Sequence, residues 1–294
     1  MNKLKSIVIA VDFLDEARYA ADRAAVVAKE HQSHLSLVYV ISHSSLEDLQ
    51  RLFGAPAETK DKLLDDASRR LNEVAAEIGK STGLITNACV KVGPVLDEIL
   101  SVAEGADLLV LRVRGSNPVP DLILGTTAER LVGKCTQSVL VVKRPSQTLY
   151  EHVIVPVDFS PYSGPALKMA MQIAPHARIT IVHAFRVPFE SKLSLLGVTD
   201  EAIRQYCEEE RQEAVKKIKA MIHDITGDSP LISLAVERGK GADVILAKEK
   251  DLSADLIVIG KHGQSMFEEL LFGGTTRYVL AGSKCDVLVV HEKD

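Results

Sequence analysis

Short runs of valine, isoleucine and leucine alternate along this chain with longer amphipathic stretches. In the first half the apolar runs predict strands over 5–11, 35–41, 85–91, 107–111 and 138–143. The stretches between them predict helices over 15–31, 58–80, 94–104 and 126–135. The runs are continuous, which is typical of strands buried on both faces. The alternation of strand and helix therefore predicts an α/β fold with a parallel sheet built from right-handed crossovers.

The second half repeats this order of elements. Its strands are predicted over 152–157, 178–184, 231–237, 255–259 and 286–291. Its helices are predicted over 161–175, 199–225, 240–251 and 275–283. Ser160-Pro161 and Thr199-Asp200 carry the residue types that start helices, and Gly227-Asp228 carries those that end them.

The two halves also match in sequence. Val11-Asp12-Phe13 returns as Val157-Asp158-Phe159, and the apolar run over 138–143 returns over 286–291. We therefore predict two tandem doubly wound domains, Rossmann-like and open-sheeted, at 1–146 and 147–294. Each is expected to hold a five-stranded, mainly parallel sheet flanked by helices.

Composition narrows the classes of function. With 294 residues, 46% of them hydrophobic and 26% charged, the chain is long enough for two globular domains. A net charge of −5 without a long basic block argues against nucleic acid as a partner. No apolar run approaches the length of a membrane span, and no signal peptide is recognisable. The four cysteines lack metal-ligand spacing, so we expect a cytoplasmic protein without a metal site.

One loop pattern in the second half has the spacing of a phosphate site. Gly260-Lys261-His262-Gly263 follows a predicted strand, and Gly273-Gly274-Thr275-Thr276 opens a predicted helix nine residues later. The glycines can take positive φ and let the backbone approach a ligand closely. The helix start attracts anions, a threonine hydroxyl can reach a phosphate oxygen, and Lys261 and His262 can add positive charge.

The first half carries the same pattern with a break. Arg112-Val113-Arg114-Gly115 replaces the first motif, whereas Gly125-Thr126-Thr127 keeps the helix start. If the first position requires positive φ, arginine costs about 1–2 kcal/mol there. Two interpretations stay open: Arg112 and Arg114 bind phosphates, or Arg112 fills a retired pocket, meaning one that no longer binds nucleotide. We favour the retired pocket and expect the ligand mainly in the second half.

Together these motifs resemble the universal stress protein family, in its tandem form with two such domains in one chain. The resemblance covers essentially the whole sequence, and it implies ATP or AMP, together with Mg²⁺, as ligand. In the family the glycine motif holds phosphates and ribose, and the first-strand Asp and the segment after the second strand hold the adenine. In the second half the implied contacts are Asp158, Ala184, Gly260, His262, Gly263, Gly273, Gly274, Thr275 and Thr276. In the first half they are Asp12, Val40, Gly115, Gly125, Thr126 and Thr127.

Two qualifications come from the residues themselves. Gly274 stands where the family has Ser or Thr, and the lost hydroxyl is worth about 0.5–1.5 kcal/mol, so we expect weakened rather than abolished binding. Asp12 and Asp158 can each serve instead as local caps of the following loop.

The expected function is that of a cytoplasmic stress-response protein whose bound nucleotide shifts a conformational or assembly equilibrium. The resemblance further implies antiparallel pairing of the last strands, which would make an internal pseudo-dimer and allow a homodimer. No residue is predicted to be catalytic. The alternatives are a slow ATPase or phosphotransferase, for which no clear base is visible, and a nucleotide-independent, chaperone-like protein. Two apolar loops, 42–56 and 186–198, are expected to pack on a helix, a partner or the ligand cleft.

Overall fold

A computed structural model describes residues 3–12, 18–43, 58–112, 126–187, 197–227, 230–263 and 273–291. Contacts divide the chain into two compact units. Unit 1 comprises Met1–Leu149 and Asp286–Asp294, and unit 2 comprises Tyr150–Cys285. The boundary expected between 146 and 147 from the repeat stays a prediction. Most of the two apolar loops, over 44–56 and 188–196, lies outside the described residues.

Unit 1 follows the predicted order of strands and helices. Its strands are β1 (Ser6–Ala10), β2 (His34–Ile41), β3 (Thr86–Val92), β4 (Leu108–Arg112), β5 (Ser138–Val142) and, from the end of the chain, β10 (Asp286–Val290). Its helices are α1 (Arg18–His31), α2 (Glu58–Thr82), α3 (Val95–Ala103) and α4 (Thr126–Lys134). The strand order is β3-β2-β1-β4-β5-β10. All neighbours are parallel except β5 and β10, which pair antiparallel with Leu140 opposite Leu288.

Unit 2 repeats the arrangement of β1 to β4 and of the four helices of unit 1. Its strands are β6 (His152–Pro156), β7 (Arg178–Phe185), β8 (Ile232–Arg238) and β9 (Leu256–Gly260). Its helices are α5 (Ser163–Ile173), α6 (Asp200–Thr226), α7 (Gly241–Leu252) and α8 (Gly274–Gly282). The strands are parallel in the order β9-β6-β7-β8. The predicted α/β class, with a mainly parallel sheet flanked by helices, is confirmed. Among the helices described in either unit, none combines the length and apolarity needed to cross a bilayer.

The continuous aliphatic runs form the core. Every residue of β5, β9 and β10 is buried, whereas the edge strands β3 and β8 consist of exposed and half-buried positions apart from the buried Val236. Each fully buried valine, leucine or isoleucine contributes about 1.5–3 kcal/mol relative to exposure. The central strands are therefore the rigid base from which the loops at their carboxyl ends project.

The same carboxylate device fixes the first strand of each repeat. Asp107, just before β4, accepts hydrogen bonds from the backbone N–H groups of Lys5 and Ser6 at 2.7 and 3.1 Å. Asp255, just before β9, does the same for Glu151 and His152 at 2.8 and 3.1 Å. These bonds satisfy N–H groups at the strand starts, so each pair of strands enters the sheet in a defined register.

The helix signals are confirmed in one case and wrong in another. The Thr199 hydroxyl accepts from the Ala202 N–H at 3.2 Å, and Gly227, with φ of +66°, ends α6. The expected start at Ser160-Pro161 is wrong, because α5 begins at Ser163. Ser160 forms part of a turn instead, and its backbone N–H donates to the Asp158 carboxylate.

A buried ion pair lies within unit 1. Arg23 of α1 approaches Asp286 of β10, with Nε and Oδ2 3.1 Å apart and side chains only 2% and 0% exposed. Asp286 also accepts from the Lys143 N–H at 2.9 Å, and Arg23 donates to the Thr148 carbonyl at 2.6 Å. The pair thus links the last strand to α1 and to the segment that follows β5.

Arg23→Met should lower the free energy of unfolding by about 3–5 kcal/mol, because it leaves the Asp286 charge buried without its partner. Urea denaturation followed by circular dichroism measures the change. The control is Arg69→Met: Arg69 pairs with Glu73 on the surface of α2, with side chains 60% and 62% exposed. A surface pair of this kind should cost less than about 1 kcal/mol. Equal stability of the Arg23 variant and wild type would contradict the stabilising role of the buried pair between Arg23 and Asp286.

Candidate functional site

A cavity of about 470 Å³ opens in unit 2 at the carboxyl ends of β6, β7 and β9. The nine residues expected for the second half all line it: Asp158, Ala184, Gly260, His262, Gly263, Gly273, Gly274, Thr275 and Thr276. They meet there because parallel strands end at a common edge of the sheet. The volume falls in the range of small-molecule pockets, roughly 300–1,000 Å³.

Asp158 is held in one orientation by two serines. Its Oδ1 accepts from the Ser160 backbone N–H at 3.0 Å and from the Ser163 hydroxyl at 3.1 Å. The local capping role considered for this aspartate is therefore present, and the same carboxylate lines the cavity. Sequence reasoning considered Ser160 only as a helix start and missed Ser163, although a hydroxyl five residues after the aspartate was a visible signal.

The residue after Asp158 is strained. Phe159 has φ of +62°, in the left-handed region that large side chains rarely adopt. Its ring packs against the His183 ring at 4.7 Å, and the Lys217 ammonium lies 5.7 Å from the ring centroid. His183 in turn donates from Nδ1 to the Val157 carbonyl at 2.7 Å. This packing holds the chain reversal that directs Asp158 toward the cavity.

The first two motif glycines are required for space rather than for backbone freedom. Neither Gly260 nor Gly263 has positive φ, so that expectation is wrong. A Cβ on Gly263 would lie 2.6 Å from Asp158 Oδ2, and one on Gly260 would lie 2.5 Å from the Tyr162 Cβ. Both contacts are shorter than any ordinary carbon contact, so each position excludes a side chain. Tyr162, whose role sequence reasoning missed, thus explains Gly260.

The start of α8 closes the other side of the cavity. The first helical hydrogen bond runs from the Arg277 N–H to the Gly273 carbonyl at 3.0 Å, so the N–H groups of residues 274–276 precede the helical ladder. The Thr276 hydroxyl donates to the Gly260 carbonyl at 2.8 Å and is buried. Because the Thr276 hydroxyl proton is used in this hydrogen bond, Thr276 cannot donate it to a ligand. The neighbouring Thr275 is exposed, and its hydroxyl can donate to an anion.

Gly273 and Gly274 differ in the room around them. The Gly273 N–H donates to the Lys261 carbonyl at 2.9 Å, which ties the glycine loop to the helix start. A Cβ on Gly274 would meet nothing within 4 Å. Position 274 therefore has space for a hydroxyl-bearing side chain.

His262 lines the cavity with its imidazole ring 5.7 Å from the Tyr162 ring. Burial lowers the pKa of His262 below its ordinary value, and the positive charge of Lys261 lowers this pKa further. The imidazole is therefore neutral at pH 7, and the expectation that it adds positive charge is wrong. Lys261 is not among the residues that line the cavity.

The corresponding residues of the first half are not brought together in the part of unit 1 that the structure describes. Asp12 lines a different cavity, of about 830 Å³, between α1 and α2, and neither Val40 nor Thr127 lines it. Gly115 and Gly125 lie outside the described residues, as does the side chain of Thr126. Arg112 ends β4 opposite Val142 of β5.

The two first-strand aspartates differ in their support. Asp12 Oδ1 is buried without a hydrogen-bond partner among the residues described. In the sequence repeat, Leu14 and Ala17 occupy the positions of Ser160 and Ser163. The first half therefore lacks the hydroxyl that Ser163 donates to Asp158, whereas the Ser160 contact is made by a backbone N–H and does not depend on the serine side chain.

The pKa of His262 should be measurable by NMR titration of its ring protons. We expect a midpoint below the ordinary value of about 6.5. As the pH falls, the unfolded chain takes up the His262 proton before the folded chain does. The folded state is therefore at its full stability above the ordinary pKa, and it loses stability as the pH falls through the lowered pKa of the folded chain. Lys261→Met should raise the midpoint slightly and Lys250→Met, at the far end of α7, should not. A wild-type midpoint above the ordinary value would contradict the burial of the ring.

Comparison with known proteins agrees with this architecture. A model of the universal stress protein family matches residues 3–143 and again 149–291. A universal stress protein of Methanocaldococcus jannaschii is 30% identical over 148 residues, which are 50% of this chain and 85% of that protein. One from Mycolicibacterium smegmatis is 23% identical over 293 residues, covering 98% of this chain and 97% of its own. The crystal structure of a universal stress protein from Archaeoglobus fulgidus matches with a TM-score of 0.69 at 18% identity, over 98% of each chain. At this identity the structural match shows the fold alone.

Proposed function

The chain belongs to the universal stress protein family in both of its halves, and on that basis we propose that it binds an adenine nucleotide, ATP or AMP, in the unit 2 cavity. The bound nucleotide would shift a conformational or assembly equilibrium in the response to stress. The observation that carries the proposal is the convergence of an oriented carboxylate, two glycines without room for side chains and an open helix start in one cavity.

The cavity offers different chemistry to the two ends of a nucleotide. Asp158 can accept from N–H or O–H groups of the adenosine, and the apolar side chains of Val182, Ile245 and Ile259 can cover the base. The N–H groups of residues 274–276, which precede the helical hydrogen bonds, and the positive end of α8 suit phosphate. Mg²⁺ is proposed only as the companion of the phosphates, with Asp158 the one carboxylate lining the described walls.

Unit 2 is favoured over unit 1 as the nucleotide site because Asp158 and Asp12 differ in how they are oriented and in which cavity they line. Asp158 is fixed by Ser160 and Ser163 and faces the glycine motif, whereas Asp12 lines a cavity on α1 and α2. A carboxylate that is already oriented loses less conformational freedom when a ligand binds, so more of the interaction energy remains as affinity.

A slow ATPase or phosphotransferase is the second candidate, favoured by one observation. His262 lines the cavity and its lowered pKa keeps the imidazole neutral at pH 7, which is the form that can accept a proton from water. A nucleotide-independent, chaperone-like role has no such observation in its favour, and we place it third.

We also propose that the two repeats form an internal pseudo-dimer and that two chains can associate as a homodimer. The proposal is supported by the antiparallel ladder in which the last strand of the second repeat, β10, faces the last strand of the first, β5. A cytoplasmic location is proposed as well. It is supported by the four cysteines, all of which are free thiols, as expected in a reducing compartment.

Nucleotide affinity should depend on Gly263 and not on its counterpart Gly115. Gly263→Asp places a second carboxylate against Asp158, where even a Cβ would lie 2.6 Å from the oxygen. We expect this change to abolish ATP and AMP binding measured by isothermal titration calorimetry. Gly115→Asp, the matched control in the first repeat, should bind as wild type does. Loss of binding in the Gly115 variant alone would show that the nucleotide binds in the first half and that the proposal is wrong.

Gly274→Ser should strengthen binding, because position 274 has open space and the new hydroxyl can donate to a phosphate oxygen. A neutral hydrogen bond is worth about 0.5–1.5 kcal/mol, or roughly a twofold to tenfold gain in affinity for ATP and AMP alike. Gly274→Ala, which adds the methyl group without the hydroxyl, separates this effect from helix stabilisation. Equal affinities of the serine and alanine variants would show that position 274 does not face phosphate.

A further inference from the structure

A second cavity, of about 460 Å³, adjoins the proposed nucleotide cavity at the start of α8. The two cavities share three wall residues, Gly241, Gly274 and Thr275. The remaining walls of the second cavity are Arg186, Lys240, Ala242, Asp243 and Tyr278. The open space at the helix start therefore continues past the glycine motif.

The walls of the first cavity carry a net negative charge, and those of the second carry a net positive charge. Asp158 is the acidic residue of the first cavity, and His262 beside it is neutral at pH 7. The second cavity has two cationic side chains, Arg186 and Lys240, against the single carboxylate of Asp243. An anion that extends from the first cavity is therefore drawn toward the second.

Both cationic side chains are available for a ligand. Arg186 follows β7 and Lys240 directly precedes α7, and both are exposed. Neither side chain forms an ion pair or a hydrogen bond with the part of the chain that the structure describes. Guanidinium binds phosphate oxygens in bidentate fashion, and the lysine ammonium binds them as a mobile point charge.

We propose that the second cavity holds the terminal phosphates of a nucleoside triphosphate, and that Arg186 and Lys240 make the site prefer ATP over AMP. This inference rests on the proposed function, since the adenosine and first phosphate must occupy the first cavity. Neither residue belongs to the glycine motif. Their contribution would be a property of this chain beyond the motif that it shares with its family.

The test compares the affinities for ATP and AMP, by isothermal titration calorimetry at two salt concentrations, in the full chain and in Lys240→Met, Arg186→Gln and the double variant. Each single change should weaken ATP binding by roughly twofold to fivefold, the range of exposed ion pairs, and leave AMP binding unchanged. The double variant should lose about tenfold for ATP, and the loss should shrink at high salt. Lys250→Met, at the opposite end of α7, is the charge-matched control and should change neither affinity.

The outcomes separate the subsite from the proposed function. AMP affinity reports on the first cavity and on correct folding of each variant, so a selective loss of ATP affinity supports the subsite. Equal losses for both nucleotides, or no loss for either, would overturn it while leaving nucleotide binding intact. A wild-type chain that binds AMP more tightly than ATP would also overturn it. Failure of the wild-type chain to bind either nucleotide would overturn the proposed function, and the subsite with it.

Discussion

The Asp158 carboxylate and the backbone of Gly263 pack so closely that no side chain fits between them. This contact determines the architecture of the unit 2 site. It joins the end of β6 to the loop after β9, and it persists because Ser160 and Ser163 hold the carboxylate while Phe159 keeps its strained backbone. The glycine loop is in turn tied to α8 through the bonds from Gly273 to Lys261 and from Thr276 to Gly260. A chain of short contacts thus presents the open helix start to the same cavity as the carboxylate.

The repeats differ in sequence at positions that surround this contact. Ser163 orients the Asp158 carboxylate through its hydroxyl, which an alanine cannot supply, whereas Ser160 contributes a backbone N–H that does not depend on the side chain. In the first repeat Leu14 and Ala17 replace the serines and Arg112 replaces the first glycine. Two of these changes, at positions 17 and 112, replace residue types that the unit 2 site uses, namely the Ser163 hydroxyl and the glycine at 260. The sheet is unaffected, because Asp107 and Asp255 fix the strand starts in both units.

Much of this could be predicted from the sequence, for identifiable reasons. Continuous aliphatic runs predict strands because burial on both faces leaves no polar positions, and the motif spacing predicts which residues line the cavity. The sequence could not, however, predict why glycine is required at positions 260 and 263. That requirement depends on where Tyr162 and Asp158 lie, and that is set by a turn at Phe159 whose positive φ no composition rule anticipates. The neutral state of His262 depends on burial, and the presence of Arg186 and Lys240 in one cavity depends on two loops meeting beside α8.

The central claim is that a nucleotide occupies the unit 2 cavity. It is tested most directly by titrating the isotopically labelled chain with AMP and following the backbone amide resonances. The account predicts that the large shifts fall on residues 158, 260–263 and 273–276, and that the resonances of Asp12, Val40 and Thr127 stay in place. Shifts confined to the unit 1 residues, or no shifts at saturating AMP, would contradict it.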